Sequence, residues 1–190
     1  MEYGKEILRR DGKPCLLRHA LPEDAEEYMD YYRTAHSESD FLRTYPDETD
    51  RTAEKYALQF EKIRRDARSA EICAFTDGRL VGAAGISPVG ERDKERHRAG
   101  FGISVVKSHQ GLGIGRALTE ATIDCARKMG YELVELCVVS ENERALALYR
   151  SLGFVEYGRY PHAYLTREGR RQELIYMYLE LKDTEEEKPC

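Results

Sequence analysis

Apolar residues along the chain recur with two different periods, and the order of these periods predicts a mixed α/β protein. Short runs rich in valine, isoleucine, leucine and aromatic residues are typical of strands. They fall at residues 14–18, 72–76, 80–87, 99–106, 133–139, 154–160 and 172–181. Patterns with the 3.6-residue period of a helix fall at residues 21–32, 52–68, 113–129 and from 142 onward. The predicted order is therefore β-α-α-β-β-β-α-β-α-β-β.

Turn signals and apolar faces support these boundaries. Asp77-Gly78 between two strand-like runs is a strong hairpin signal, and Gly130 ends the helix that begins near Gly113. The predicted buried positions of that helix share one face and are Ile114, Leu118, Ala121 and Cys125. Those of the helix over 52–68 are Tyr56, Phe60 and Ile63. A polar loop of residues 36–50 separates the first two helices.

The composition is that of one globular domain with a polar surface. The chain has 190 residues, of which 41% are hydrophobic and 34% are charged, and its net charge is −5. Domains commonly contain about 100–200 residues, so we expect a single domain over residues 1–182 and a frayed acidic tail over 183–190. Lysine and arginine are scattered among acidic residues, which argues against a nucleic-acid-binding surface.

No segment has the pattern of a membrane span or a secretory signal. No apolar run approaches the roughly 20 residues of a membrane helix, and Met1 leads into a polar segment without an apolar core. The five cysteines, at positions 15, 73, 125, 137 and 190, show no CxxC spacing. This pattern indicates reduced thiols and favours neither a disulfide framework nor a metal site. We therefore expect a cytoplasmic protein that binds no membrane.

The segment after the strand at 99–106 carries the strongest chemical signal in the chain. Gly111, Gly113 and Gly115 occupy alternate positions in a turn that leads directly into a helix. Glycine permits tight turns and a close approach of backbone N–H groups to a ligand, and a helix N-terminus attracts phosphate oxygens. The spacing fits neither the P-loop nor the G-x-G-x-x-G pattern of dinucleotide folds. Because an ordinary turn can also be rich in glycine, this signal needs a second one.

A second block lies some thirty residues further along the chain. It reads Asn142-Glu143-Arg144-Ala145-Leu146-Ala147-Leu148-Tyr149-Arg150-Ser151-Leu152-Gly153-Phe154. Asn142 is a good helix N-cap, and Gly153 is a natural residue for ending the helix. Ala145, Leu148 and Leu152 fall on one helical face. The block therefore predicts a short capped helix followed by a strand.

Together the two blocks resemble those of the GNAT superfamily of N-acyltransferases. Gln110-x-x-Gly113-x-Gly115 is similar to its coenzyme A pyrophosphate motif, and the second block is similar to N-x-x-A-x-x-L-Y-x-x-x-G-F. The resemblance covers residues 70–181 well and the first third in outline. It implies the GNAT fold, a mixed seven-stranded sheet with helices on both faces. It also implies an N-acetyltransferase that moves an acetyl group from acetyl-CoA to a primary amine by direct attack in a ternary complex.

The resemblance also implies which residues contact the cofactor. In this family the strand before the glycine turn and the strand after its helix splay apart, and the pantetheine arm pairs with the exposed strand edge. The implied cofactor residues are Val105, Val106, Gln110, Gly111, Leu112, Gly113, Ile114, Gly115, Arg116, Asn142, Ala145 and Tyr149. Lys107, Arg116 and Arg150 are candidates for neutralising phosphates, with solvated surface charges as the equal alternative.

The chemistry of a thioester assigns roles to a few of these groups. Tyr149 matches the tyrosine that commonly protonates the leaving thiolate in the GNAT superfamily. A phenol with a pKa of ~10 stays protonated at neutral pH, as this role requires. The alternative is a core tyrosine whose hydroxyl is satisfied elsewhere. A backbone N–H near Val106 is the expected oxyanion donor. The strand over 98–104 offers no carboxylate as a general base. His97, Glu135 or a chain of water molecules remain alternatives, and no base is assigned.

The acceptor-binding residues are the least specified part of the prediction. By resemblance they lie in the loop between the first two helices, where we single out Glu38, Asp40, Phe41 and Tyr45, and in the closing hairpin at 160–164. The acids would attract a cationic amine; alternatively, this is only a solvated loop. Small amines, amino acids, polyamines and peptide N-termini all stay open. A non-catalytic acyl-CoA sensor is the alternative function, and the sequence permits a homodimer.

Overall fold

A computed structural model describes residues 3–181 and contains four helices and eight strands in that part of the chain. The helices are α1 Ala25–Ser37, α2 Ala53–Arg65, α3 Ile114–Lys128 and α4 Glu143–Ser151. The strands are β1 Gly4–Leu8, β2 Pro14–His19, β3 Ala70–Thr76, β4 Arg79–Pro88, β5 Arg98–Val105, β6 Leu133–Val139, β7 Val155–Leu165 and β8 Arg171–Glu180. The tail predicted to fray lies outside the described residues.

The eight strands form one mixed sheet in the order β1-β2-β3-β4-β5-β6-β8-β7. The predicted mixed α/β class is confirmed, whereas the count of seven strands is wrong because β1 was missed. β1 is mostly exposed and pairs only with β2. An exposed edge strand has no buried face, so it leaves no clear apolar alternation in the sequence.

Residue contacts divide the chain into two compact units, and the first comprises residues 1–87 and 101–125. Within it, helices cover both faces of the sheet. The hydroxyl of Tyr28 on α1 donates to Glu71 on β3. On the other side, a Cβ placed on Gly82 would lie 3.1 Å from Leu118 of α3. Glu71 pairs with Gly85, which lies three residues beyond Gly82 on β4. Side chains an odd number of residues apart on a strand point to opposite faces of the sheet, so Glu71 and Leu118 lie on opposite faces.

The second unit comprises residues 88–100 and 126–190. Here β6 pairs in parallel with the beginning of β5 and antiparallel with β8, which in turn pairs with β7. The segment 160–164, expected in the closing hairpin, lies within β7. The pairing with β8 shifts register between Tyr160 and Tyr164, and His162 has a φ of +58°. The strand predicted to end at residue 160 thus continues, with an irregularity, to Leu165.

The predicted local signals largely match the structure. Asp77 and Gly78 have φ values of +50° and +74°, as a tight hairpin requires. The predicted face of α3 is buried, with Ile114, Leu118 and Cys125 fully enclosed. On α4 the buried positions are Leu146 and Tyr149, so the face predicted around Ala145, Leu148 and Leu152 is displaced. No helix among residues 3–181 is long and apolar enough to cross a membrane.

Candidate active site

The glycine turn has the backbone conformation that its sequence predicts. After β5, residues 107–109 form a single 3₁₀ turn, and α3 begins at Ile114. Gly111 and Gly113 have φ values of +84° and +89°, a region that side-chain-bearing residues rarely adopt. The first turn of α3 carries no acidic residue. Its first N–H groups lack intrahelical acceptors, so the turn presents donors and no competing negative charge at this helix end.

The hairpin between β1 and β2 holds the glycine turn from outside. The backbone N–H of Arg10 donates to the Leu112 carbonyl at 3.0 Å, and its guanidinium donates to the Gly111 carbonyl at 3.4 Å. The neighbouring Arg9 is buried and donates to Thr76 at 2.8 Å, which fixes this hairpin on the sheet. Sequence reasoning missed Arg10, because the contact joins residues about a hundred positions apart.

Val105 and Val106 already take part in local hydrogen bonds. The Gln110 side chain donates to the Val105 carbonyl at 3.0 Å, and the N–H of Val106 donates to the Val81 carbonyl on β4 at 3.0 Å. An N–H that already serves a strand carbonyl is not free to stabilise an oxyanion. The oxyanion donor expected near Val106 stays a prediction, and the N–H of Val106 itself is already engaged.

The three candidate phosphate-binding cations are all exposed. Arg116 lies 3.4 Å from Glu120 one turn further along α3, and Arg150 lies 3.7 Å from Glu156. Exposed pairs of this kind contribute little to stability. The backbone N–H of Lys107 donates to the Glu38 carboxylate at 2.6 Å, and its side chain is exposed. The geometry thus favours the surface-charge alternative for Arg116 and Arg150 more than for Lys107.

In the second unit, α4 carries the other predicted cofactor residues. Asn142 caps the helix as predicted, because its side-chain oxygen accepts from the Ala145 N–H at 3.2 Å. Tyr149 is 7% exposed, and its ring centroid lies 5.6 Å from that of Phe154. Burial raises the pKa of Tyr149 above its ordinary value. The phenol therefore stays protonated throughout the working pH range, as a proton donor must.

The parallel pairing of β5 with β6 is short. It covers three residue pairs, from Arg98 with Leu133 to Gly100 with Glu135. β5 continues to Val105 and β6 continues to Val139. The observed pairing therefore ends before either strand does.

The predicted acceptor loop is attached to both α1 and the glycine turn. The Glu38 carboxylate accepts from the backbone N–H of Lys107 at 2.6 Å. Thr44 anchors the other end of the loop, since its hydroxyl lies 2.7 Å from that of Tyr32. The remaining predicted residues lie in the same loop: Asp40 and Phe41 are exposed, and Tyr45 is half-buried. The structure thus brings this loop against the cofactor turn within the first unit.

Of the two side chains considered as a base, one is already engaged. Glu135 accepts two hydrogen bonds from the Arg98 guanidinium, one of them at 2.8 Å, so it is held as a structural ion pair. His97 is half-buried in the same unit, and its backbone carbonyl accepts from Glu132 and Leu133. Neither arrangement identifies a base.

A carboxyl group that sequence reasoning passed over is Glu71 on β3. Its Oε1 accepts from the Tyr28 hydroxyl at 2.7 Å, and burial raises its pKa. The sequence held one signal, an acidic residue inside an otherwise apolar strand, but strand periodicity alone could not say which face it occupies. The described residues contain no cluster of histidine, cysteine or acidic side chains that could hold a metal ion.

A turn that offers backbone donors at a helix N-terminus is suited to an anion such as a phosphate group. The family model described as Acetyltransferase (GNAT) family matches residues 25–154. The chain belongs to this family.

Two curated relatives are similar over part of the chain. L-amino acid N-acyltransferase MnaT of Escherichia coli is 34% identical over 110 residues, covering 58% of this chain and 63% of the relative. N-alpha-acetyltransferase RimI of Mycobacterium tuberculosis is 42% identical over 85 residues, covering 45% and 51%. The matches thus span less than two thirds of these relatives.

A solved structure confirms the fold over nearly the whole chain. The GNAT-family acetyltransferase from Streptococcus pneumoniae has a TM-score of 0.84 and 26% sequence identity. The match covers 88% of this chain and 99% of that one.

Replacing Gly113 tests whether the turn conformation serves binding. A Cβ at Gly113 would meet only Arg10, at 3.7 Å, so Gly113→Ala has room but must adopt a left-handed backbone. That conformation costs about 1–2 kcal/mol. We expect a comparable loss of stability in thermal denaturation and an affinity for acetyl-CoA lowered about tenfold or more in calorimetry.

Gly169→Ala is the matched control, because Gly169 also has a positive φ of +81° and open space, in the hairpin between β7 and β8. It should lose similar stability and keep its affinity for acetyl-CoA. Equal losses of affinity in the two variants would contradict a specific role for the glycine turn.

Proposed function

We propose that the protein is an N-acetyltransferase that moves an acetyl group from acetyl-CoA to a primary amine. The observation that carries this proposal is the pair of positive-φ glycines, Gly111 and Gly113, placed immediately before the N-terminus of α3. Backbone N–H groups at such a helix end bind phosphate oxygens without further specialisation. Membership of the acetyltransferase family supports a coenzyme A diphosphate as the ligand.

In this proposal the cofactor-binding groups are those that the family resemblance implies, together with Arg10. The turn over 110–116 donates to the diphosphate, and Arg10 adds a positive charge beside Gly111. The free edge of β5 pairs with the pantetheine arm, and Asn142, Ala145 and Tyr149 of α4 contact the same cofactor, as the family resemblance implies. We add Arg10 to the predicted set because its guanidinium contacts the glycine turn.

The reaction follows from the acetyl thioester. The lone pair of the amine attacks the carbonyl carbon, the C–S bond breaks, and the sulfur leaves with the bonding electrons. Tyr149 donates its proton to that sulfur and regains one from solvent. Holding the donor and the acceptor side by side supplies much of the rate enhancement, because it converts a collision into an oriented attack.

The acceptor in this proposal is a small primary amine, and an amino acid fits best. The named activity of the Escherichia coli relative, L-amino acid N-acyltransferase, supports this class. The named activity of the mycobacterial relative, N-alpha-acetyltransferase, supports a peptide N-terminus as the competing acceptor. The alternative function, a non-catalytic acyl-CoA sensor, requires the cofactor but no acceptor turnover.

A ligand panel followed by a turnover assay tests the function. Acetyl-CoA and coenzyme A should raise the melting temperature, whereas ATP and NAD should not, because a ligand selective for the folded state stabilises it. Free-thiol release should then depend on an added amino acid or amine. Stabilisation by acetyl-CoA without amine-dependent thiol release would favour the sensor, and the absence of any stabilisation would contradict both functions.

Removal of one hydroxyl group tests the role of Tyr149. We expect Tyr149→Phe to lower kcat about 10²–10⁴-fold, the usual contribution of a general acid, with little change in the KM for acetyl-CoA. Tyr157→Phe is a control, since Tyr157 is half-exposed and packs against Tyr176 and Tyr178. A wild-type kcat in Tyr149→Phe would contradict the role of Tyr149 as the proton donor and indicate that it is only a core residue.

Replacing both loop acids tests their attraction for the amine. Glu38 and Asp40 are exposed, so their effect on a cationic acceptor should act at long range and be screened by salt. We expect Glu38→Ala/Asp40→Ala to raise the acceptor KM several-fold at low ionic strength, with the effect shrinking in about 0.5 M salt. Glu54→Ala/Glu61→Ala removes the same charge from α2, and an equal change of acceptor KM in that variant would discard the idea.

A further inference from the structure

Glu71 is a carboxyl group enclosed by protein but still partly open to solvent. It lies on β3 opposite Gly85 of β4. A Cβ at Gly85 would overlap the Glu71 carboxylate, so the glycine leaves the space that this side chain fills. Its Oε1 accepts from the Tyr28 hydroxyl at 2.7 Å. The position of the carboxylate is thus set by the hydrogen bond from Tyr28 and by the space that Gly85 leaves open.

This carboxylate lacks a cation of its own. Among residues 3–181, Glu71 forms no ion pair, and the only positive side chain that lowers its pKa is Arg51, which donates to Gln59 instead. Buried acidic groups are normally paired, because an unpaired charge in a protein interior is costly. An unpaired carboxylate that remains accessible is suited to a positively charged ligand.

Its surroundings also suit an ammonium group. The Tyr28 ring centroid lies 5.0 Å from that of Tyr56, and aromatic faces attract cations. In the described chain the Tyr56 hydroxyl is buried and has no hydrogen-bond partner of good geometry. Burial raises the pKa of Tyr56, and the nearby Thr49 side chain opposes part of this rise. The Arg51 guanidinium already lies over the Tyr56 ring, 5.6 Å from its centroid, as expected of an aromatic environment that attracts cations.

The position of Glu71 relative to the glycine turn is set by neighbouring strands. The Val81 carbonyl accepts from Val106 at the base of the turn, and Gly85 lies four residues further along β4, about 13 Å at the usual rise of a strand. Midway, the Tyr31 hydroxyl links β4 to β5, accepting from Ala83 at 3.0 Å and donating to the Ser104 carbonyl at 2.9 Å. Glu71, paired with Gly85, thus lies further along the sheet from the turn, beyond the link that Tyr31 makes between β4 and β5.

We propose that Glu71 binds the ammonium group of the acceptor and removes its first proton. This inference rests on the proposed acetyltransferase function and supplies the base that β5 lacks. Tyr28 orients the carboxylate through the hydrogen bond from its hydroxyl. The substrate class is a primary amine that is protonated in solution.

The proton balance of the step is simple. Glu71 as a carboxylate takes one proton from R–NH₃⁺, and the neutral amine attacks the thioester carbonyl. The nitrogen then loses its second proton as the amide forms and the C–S bond breaks. The coenzyme A sulfur gains one proton, so the products are the acetylamide, the thiol and one proton that Glu71 returns to solvent.

The acidity of Glu71 sets the pH dependence. Burial raises its pKa above 4.5, whereas the Tyr28 hydrogen bond and Arg51 oppose the rise. The ionisable groups that interact electrostatically with this carboxyl lie on α1, α2 and β3 and in the loop before α2. They are Tyr28, Tyr31, Tyr56, Cys73 and Arg51. The three phenols and the thiol have raised pKa values, so none of them titrates with Glu71. The kcat/KM for the acceptor should therefore fall as the pH drops through the raised pKa of one carboxyl.

The test measures amine-dependent thiol release by Glu71→Gln over a range of pH. We expect kcat/KM for the acceptor to fall about 100-fold or more, as for the loss of a general base, and the acidic limb of the profile to disappear. The thermal shift caused by acetyl-CoA should be unchanged. Glu61→Gln, an exposed acid on α2 paired with Arg65, should behave as wild type.

Tyr28→Phe gives an independent readout in a folded enzyme. Loss of its hydrogen bond should raise the pKa of Glu71 and move the acidic limb to higher pH. Tyr32→Phe removes a hydroxyl from the same helix that bonds Thr44 instead, and it should leave the limb in place. A limb that does not move in Tyr28→Phe would overturn the proposal, even if Glu71→Gln failed to fold.

Stability separates a functional role from a structural one. Because the folded-state pKa of Glu71 is raised, its contribution to stability is present below the unfolded-state pKa and is lost as the pH rises through the folded-state value. The neutral Glu71→Gln variant should therefore be at least as stable as wild type at pH 8.

A wild-type enzyme without amine-dependent turnover would defeat the proposed function, whereas an active wild type matched by Glu71→Gln would defeat only this inference.

Discussion

The left-handed backbone at Gly111 and Gly113 is the constraint on which the site depends. It turns the chain between β5 and α3, so that the helix begins at the turn with N–H groups that have no acceptor within the helix. Arg10 holds this conformation through the carbonyls of Gly111 and Leu112, which leaves the N–H side of the turn for a ligand. Without this bend, the proposed anion site would have no defined position.

The packing of α1 connects this turn to the acceptor chemistry. Successive turns of the helix place Tyr28 on Glu71 and Tyr31 between β4 and β5, and the loop that follows places Glu38 on Lys107. One helix thus positions groups that serve the acceptor and a contact that reaches the cofactor turn. The unpaired Glu71 and the unused Tyr56 hydroxyl are unfavourable for folding alone, as expected where function constrains the sequence.

Much of the fold and the cofactor turn could be predicted, because their signals are local. Asp77-Gly78, the cap at Asn142 and the glycines of the turn each act through a few neighbouring residues, and the structure has the predicted conformations. β1 and Arg10 could not be predicted, since an exposed edge strand has no periodic pattern and the contact of Arg10 spans the chain. Glu71 was missed because its environment comes from α1, α2 and β4 together. The roles of Tyr149 and the loop acids stay predictions.

The most direct test of the central claim is the response of the turn amides to the diphosphate, followed by NMR with ¹⁵N-labelled glycine. Coenzyme A should shift the amide resonances of Gly111, Gly113 and Gly115, whereas pantetheine, which lacks the diphosphate, should leave them nearly unchanged. Gly78 and Gly169, in hairpins with similar backbone angles, serve as internal references. Saturating coenzyme A that leaves the three turn resonances in place would contradict the account.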